Sequence, residues 1–292
     1  MKKETLQNIV YSPLYLWFKL HAILPMRILY ILSDILYFPL YYIVHYRRKL
    51  VSENLRKAFP DKTDKELKQL EQKFYHHFCD YIVETIKLMH ISDEEMRRRM
   101  KFEQVEIIDR LFEENRSIII LLGHFGNWEW VPSVTLWTRP LKNKWFDRFF
   151  LKLRSRFGSV CIAKQDTLRA ILQMKRSGKP SITGFMSDQT PSPTNIHHWA
   201  RFLSQDSPVL TGFEKIARKT DFTVLYFDVE IVKRGYYKTT IREIALRPNE
   251  LPEFEITDRY TAIMEKTILR NPWAWLWTHK RWKYKHEDFP GT

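Results

Sequence analysis

Cysteine is nearly absent from this 292-residue chain, with only Cys79 and Cys161, far apart and without metal-ligand spacing. A disulfide-stapled scaffold and a cysteine zinc site are thereby excluded, and both thiols read as reduced core residues of a cytoplasmic protein. The pair "HHW" at His197–His198 lacks a clear third ligand, so no metal centre is expected there. A cleavable leader is missing too: in "MKKETLQNIVYSPLYLWFKLHAILP", Lys19 and His21 interrupt the apolar region and no small-residue cleavage site follows. Repeats and low-complexity linkers are also lacking. Acidic charge is in short supply, 34 Asp and Glu against 48 Lys and Arg, which gives a net charge of +14 and a pI near 9.6. Such an excess calls for an anionic partner: nucleic acid, an anionic membrane or an acidic protein. No zinc-finger, helix-turn-helix or RNA-recognition signature accompanies it, so no nucleic-acid partner is expected.

What the chain does have is aromatic residues, 15% of the total with ten tryptophans, a content that suits a membrane interface. "ILYILSDILYFPLYYIV", Ile28 to Val44, carries one charge, Asp34, and one proline, Pro39. As a straight helix it would be about 26 Å long, slightly short of a hydrocarbon core of about 30 Å. Asp34 needs a partner in such a setting, and Arg27 is the nearby candidate. The basic stretch "HYRRK" follows at once. Residues 1–50 therefore read as a membrane anchor, spanning or interfacial, ahead of a catalytic domain over 51–292.

Thr63 and Glu66 form a capping box. Leu67, Leu70, Phe74, Phe78, Tyr81 or Ile82, and Ile86 then recur at helical spacing to about Met89. The three arginines of "EEMRRRM" read as a solvated face. From residue 103 helices and strands alternate. "EQVEIIDRLFEEN" leads into strand "SIIILL", "NWEWVPS" opens a helix, and "DTLRAILQMKRSGK" leads into strand "SITGFM". "LTGFEKIARKT" precedes a hairpin of "FTVLYFDVEIV" with "RGYYKTTIREIAL", and "TDRYTAIMEKTILRNP" is the last long helix. The fold class is α/β: a mixed central sheet flanked by helices, with a helical N-terminal membrane-associated region.

In "IIILLGHFGNWEW" a titratable His124 directly follows the most apolar run, and Glu129 comes five residues later. A His-x4-acid pair is weak by itself, since ten histidines and 34 acids supply about one by chance, and His90…Glu95 is a second example. His90 sits in a polar, highly charged stretch and reads as the decoy. Side chains five apart on one helix diverge by about 140°, so His124 and Glu129 meet only if the chain bends between them. A strand ending at Leu122, a turn at Gly123 and a helix from Gly126 or Asn127 would supply that bend. His124 would then sit at the C-terminal edge of a strand, where α/β proteins place their sites. Glu129 would orient one imidazole nitrogen and leave the other basic toward a hydroxyl. No serine or cysteine nucleophile stands beside the pair, which favours direct attack by an activated hydroxyl over a covalent enzyme intermediate.

At "GHFGNWEW" the chain resembles the bacterial lipid A late acyltransferases, the lauroyl/myristoyl acyltransferase family within the wider His-x4-acid acyltransferases. "RPLKNKWFDRFFLKLRSRFG", "SDQTPS", "NPWAWLWTHKRWK" and the N-terminal "LYILSDILYFPLYYIVHYRRKLVSENLRKAFP" agree in order, so the likeness covers nearly the whole chain. The resemblance implies transfer of a fatty acyl chain from an acyl carrier protein thioester to a hydroxyl of a phosphorylated lipid A precursor. His124 would be the general base and Glu129 its partner. Arg148 would contact phosphate or the thioester oxyanion, with Arg154 and Arg156 as alternatives; Asn127, Asp188 and Gln189 fall among the substrate-side positions. Alanine stands at Ala274, where many family members carry glutamine. No cofactor beyond the acyl donor is implied. The expected place is the cytoplasmic face of the bacterial inner membrane. The rival readings are transfer to another membrane acceptor (a lysophospholipid, aminolipid or glycolipid) and a non-catalytic membrane scaffold. "THKRWKYKH" near the end alternates cations with aromatics in a manner suited to lipid heads.

Overall fold

The apolar runs "SIIILL" and "SITGFM" lie side by side at the centre of the sheet, where both faces are covered and a strand can be hydrophobic throughout. The computed structural model describes residues 3–131, 135–138, 153, 162–163 and 166–289. Among these, α1 spans Lys3–Ile23, α2 Met26–Phe38, α3 Arg48–Ala58, α4 Asp64–Lys87, α5 Asp93–Arg99 and α6 Glu106–Glu113. Three further helices follow: α7 at Thr167–Arg176, α8 at Gly212–Thr220 and α9 at Glu255–Arg270. The strands are β1 Met100–Glu103, β2 Ile118–Leu122, β3 Thr135–Thr138, β4 Ile162–Ala163, β5 Ile182–Met186, β6 Trp199–Phe202, β7 Gln205–Pro208, β8 Thr223–Lys233 and β9 Tyr236–Ala245.

Seven strands form one mixed sheet in the order β1-β9-β8-β2-β5-β3-β4, and β6 and β7 form a separate hairpin. The expected α/β architecture is therefore present. β8 and β9 pair antiparallel, as the hairpin reading predicts; the other pairings of the large sheet are parallel. Every residue of β2 is buried. The turn between β8 and β9 holds Gly235 at φ +71°, where a Cβ would fall 1.7 Å from the Tyr30 hydroxyl. Only glycine fits there, and its absent side chain lets the hairpin tip close on α2.

α4 begins at the predicted capping box, with Thr63 Oγ1 accepting from the Glu66 amide and Glu66 accepting from the Thr63 amide. Leu67, Leu70, Phe74 and Ile86 turn inward as their spacing requires. The same helix also buries Glu71, His77, Asp80 and Glu84, which hydrophobic periodicity cannot reveal. Three of these carboxylates accept from the N-terminal helical segment: Tyr30 donates to Glu84 at 2.8 Å, Ser33 to Asp80 at 2.7 Å and Tyr41 to Glu71 at 2.7 Å. Pro39 has no amide hydrogen to give, and the helix widens into a π turn over Pro39–Ile43, closed by Val44 N–H donating to the Pro39 carbonyl.

The partner of Asp34 is not Arg27 but Arg234, at 2.6 Å, and Arg234 also holds Asp80 at 2.6 Å. The contact joins residues 200 apart in sequence, so no local reading finds it. The arginine run is likewise split. Arg97 and Arg98 are exposed, while Arg99 turns inward to donate to the Gly235 carbonyl. Cys79 is buried and free, its thiol pushed up to about 12 by burial; Cys161 lies outside the described residues.

Candidate active site

β2 ends at Leu122 and β5 at Met186, and these two residues are register partners in a parallel pair. His124 and Asp188 each stand two residues further on, so the sheet itself sets them face to face. The His124 Nδ1–H donates to Asp188 Oδ1 at 2.7 Å, and the His124 backbone N–H donates to Asp188 Oδ2 at 2.8 Å. A third donor, the Trp275 indole N–H, reaches Oδ2 at 2.7 Å. Burial alone would raise the Asp188 pKa; the neighbouring imidazole and the three donors outweigh it and hold the carboxylate at about 2. Asp188 therefore stays charged throughout the physiological range. With Nδ1 fixed as a donor, the other ring nitrogen, Nε2, carries the lone pair. The Gln189 amide nitrogen lies 3.3 Å from it.

The sequence reading gave the orienting role to Glu129; in the structure the carboxylate hydrogen-bonded to His124 Nδ1 is that of Asp188. Residues 128–130 form a turn rather than the first turn of a helix, with the Trp130 amide donating to the Asn127 carbonyl at 3.1 Å. That turn carries the Glu129 side chain to a position only 2% exposed, and among the described residues the groups bonded to the imidazole are Asp188 and Gln189. Asn127 is fully buried, and its side chain holds the loop: Nδ2 donates to Glu84 at 2.6 Å and Oδ1 accepts from the Trp130 amide at 3.2 Å. Arg148, Arg154 and Arg156 lie outside the described residues. His90, the decoy, is exposed at the end of α4, and Glu95 pairs with Arg99. His198 bonds Asp258 at 2.7 Å.

The loop that carries His124 is held from three sides. Its backbone pairs with the C-terminal segment: the Gly126 amide donates to the Ala274 carbonyl and the Leu276 amide to the His124 carbonyl, both at 3.0 Å. Position 274 thus serves through its backbone, which alanine provides as well as glutamine would. From beneath, α9 brings Met264 so close that a Cβ on Gly123 would fall 2.2 Å from its methyl carbon. On the third side stands Glu84, which accepts from Asn127, from Tyr30 and from the Tyr237 hydroxyl at 2.8 Å. Burial pushes its pKa up to about 7 despite those three donors.

Three residues near the site carried no usable signal in the sequence. Trp275 looked like core and is core, yet its indole N–H is aimed at Asp188. His279 accepts from the Thr190 amide at 3.2 Å, and burial lowers its pKa to about 4. Arg281 is 2% exposed, donates to the Pro208 carbonyl at 2.9 Å and lies over the Phe202 ring, while its Nε has no acceptor among the described residues. Burial lowers its pKa to about 10. "THKRWKYKH" is therefore split: Arg281 turns inward, and Lys283 and Lys285 face solvent. Behind the loop, a cavity of about 470 Å³ is lined by Lys73, His76, His77, Asp80, Arg234 and Trp273, among others. His77 also contacts the Gly126 backbone, and burial lowers its pKa to about 4.

A histidine with one nitrogen held on a charged carboxylate and a lone pair on the other has the make-up of a general base. Comparison with known proteins gives the chain a chemistry. Residues 4–284 match the family described as bacterial lipid A biosynthesis acyltransferase. The chain is similar to a lipid A biosynthesis lauroyltransferase of Escherichia coli (strain K12), 21% identical over 256 residues, which covers 84% of this chain and 81% of that protein. It is also similar to lipid A biosynthesis acyltransferase 2 of Shigella flexneri, 23% identical over 140 residues, 45% of this chain and 44% of that one. With a family match running over nearly its whole length, the chain belongs to the bacterial lipid A biosynthesis acyltransferases and is an acyltransferase enzyme.

Proposed function

We propose that the enzyme transfers a fatty acyl chain from an acyl carrier protein thioester to a hydroxyl of a phosphorylated lipid A precursor, at the membrane surface. The acceptor hydroxyl would approach His124 Nε2 where the Gln189 amide now lies. As the hydroxyl oxygen attacks the thioester carbonyl, its proton passes to Nε2. The tetrahedral intermediate then collapses, the C–S bond breaks, and the proton returns from the imidazolium to the departing thiolate. Asp188 holds the ring and stabilises the imidazolium while it exists. No covalent enzyme intermediate and no metal is needed for this balance of atoms.

The observation that carries the proposal is the His124–Asp188 hydrogen bond at the ends of two central parallel strands. Glu129 retains a part in the proposal as a second, buried acid of the loop that carries His124. Arg148 and its neighbours remain proposed contacts for phosphate or the oxyanion. Basic charge supports both partners, since the acceptor carries phosphates and the carrier protein is acidic. The test is mass spectrometry of lipid A from cells lacking the gene, complemented with wild type or with His124→Ala. Loss of one secondary acyl chain, restored by wild type alone, is the expected result. Unchanged lipid A would move the acceptor to another membrane lipid.

A further inference from the structure

Water-soluble helices bury apolar side chains and expose polar ones. The stretch from Met26 to Val44 departs from that rule, although Met26 and Leu29 are buried. Its inner face sends the hydroxyls of Tyr30, Ser33 and Tyr41 to buried carboxylates of α4. Its outer face presents Ile28, Ile31, Ile35, Phe38, Ile43 and Val44, all between 43% and 66% exposed. The exposed apolar surface continues onto α1 through Leu16, Trp17, Leu20 and Ile23. Exposed cations accompany it, Lys19 and Arg27 on one side and Arg47 and Lys49 of the basic stretch on the other.

By length and composition Met26–Ile43 is apolar enough to cross a membrane. Its contacts place it differently. Tyr30 meets Glu84, Ser33 meets Asp80, the Tyr37 ring stacks on His76 with centroids 3.7 Å apart, and Tyr41 meets Glu71. The partner number falls as the helix number rises, so the segment lies antiparallel along α4 over its whole length. At its middle, Asp34 is paired with Arg234 of the β8–β9 turn. A membrane-crossing helix would have to abandon every one of these contacts and carry Asp34 into hydrocarbon unpaired, or else drag a charged helix and a hairpin in with it.

We propose that α1, α2 and the π turn lie flat in the interface of an anionic bilayer, apolar face down, as a monotopic docking surface and not as a transmembrane span. Lipid is favoured over a second copy of the chain by charge. A self-complementary dimer through this face would bring its cationic borders together, whereas anionic head groups match them. Trp17, Tyr42 and Tyr46, all exposed, are the residue types that settle at head-group depth. The inference deepens the membrane part of the proposed function and rests on it.

Two measurements test it, and neither reads acyl transfer, so each reading can fail alone. In full-length protein with Cys79 and Cys161 replaced by alanine and the fold checked by circular dichroism, Arg27→Cys and Lys49→Cys are labelled with a membrane-impermeant maleimide in sealed right-side-out and inverted vesicles. Both positions should label from the same side; labelling from opposite sides establishes a span and overturns the proposal. Separately, the double variant Ile31→Glu/Ile35→Glu should lose at least ten-fold in binding to phosphatidylethanolamine–phosphatidylglycerol vesicles, with melting behaviour kept. Unaltered vesicle binding would overturn the proposal. Unaltered vesicle binding together with conversion of a dimer to a monomer would assign the face to a second copy instead.

Discussion

His124 and Asp188 occupy equivalent places on neighbouring parallel strands, each two residues past the register pair Leu122–Met186. The hydrogen bond between them is thus fixed by the sheet and not by the flexibility of either side chain. Replacing Asp188 with asparagine keeps the volume but removes the charge and the preference for a proton on Nδ1. Asp188→Asn is expected to lower kcat by about 10²–10⁴-fold with the fold intact. Glu129→Gln is the paired control and should cost less; a larger loss at Glu129 would return the orienting role to that residue. Steady-state kinetics on both variants decides.

His124→Ala is expected to fold, bind vesicles and lose about 10²–10⁴ of the transfer rate. His90→Ala should act like wild type, since His90 is exposed beyond α4. Full activity in His124→Ala would end the general-base mechanism.

Gly235 and Gly178 have nearly the same backbone conformation, φ +71° and +68°, but different surroundings. Gly178→Ala meets no atom within 4 Å and carries only the left-handed strain, about 1 kcal/mol. Gly235→Ala adds a collision with Tyr30, and with it the loss of the Tyr30–Glu84 hydrogen bond, worth roughly another 1–3 kcal/mol. Chemical denaturation should rank Gly235→Ala as the more destabilised. Equal losses would mean that the hairpin tip and α2 separate at little cost.

Three buried groups bear on the response to pH between about 7 and 4. His77 and His279 have folded pKa values lowered to about 4, so between about pH 6.5 and 4 the unfolded chain binds protons that the folded chain refuses. Their stabilising contribution is lost as the pH falls through that window. Glu84 acts oppositely. Its folded pKa is raised to about 7, so the folded chain binds a proton that the unfolded chain releases, and its contribution is full at low pH and lost as the pH rises toward 7. Glu84→Gln removes this opposing uptake. Denaturation midpoints of the variant should therefore fall more steeply than wild type between pH 6.5 and 4.5; parallel curves would contradict the Glu84 assignment.

The helices, the β8–β9 hairpin and the all-apolar β2 follow from periodicity and capping, because those features depend on neighbours in sequence. The place of His124 just past the end of a buried strand was legible for the same reason, as a titratable residue at the end of an apolar run. Its partner was not. Asp188 is 64 positions away, and nothing local says that β2 and β5 are adjacent and in that register. Glu129 was the nearer acid in sequence, and where a helix was expected to begin the structure has a turn at 128–130. The inward face of α2 failed to show for a related reason: tyrosine and serine on an apolar helix look like interface residues until the acids of α4 are placed opposite them. Asp34 belongs to the same class, its cation being supplied by a hairpin 200 residues on.

The three hydroxyls that α2 and its π turn give to α4 bear on what happens if the N-terminal segment is trimmed away. Removing residues up to about 44 would strip Glu84, Asp80 and Glu71 of the Tyr30, Ser33 and Tyr41 donors, and leave Arg234 without Asp34. Glu84 is also the acid that grips Asn127 in the loop that carries His124. A trimmed chain would gain no solubility from the loss of its greasy face, because the surface uncovered beneath is an array of half-satisfied acids reaching back to His124. The N-terminal segment is built into the enzyme as a wall and cannot be detached as a handle.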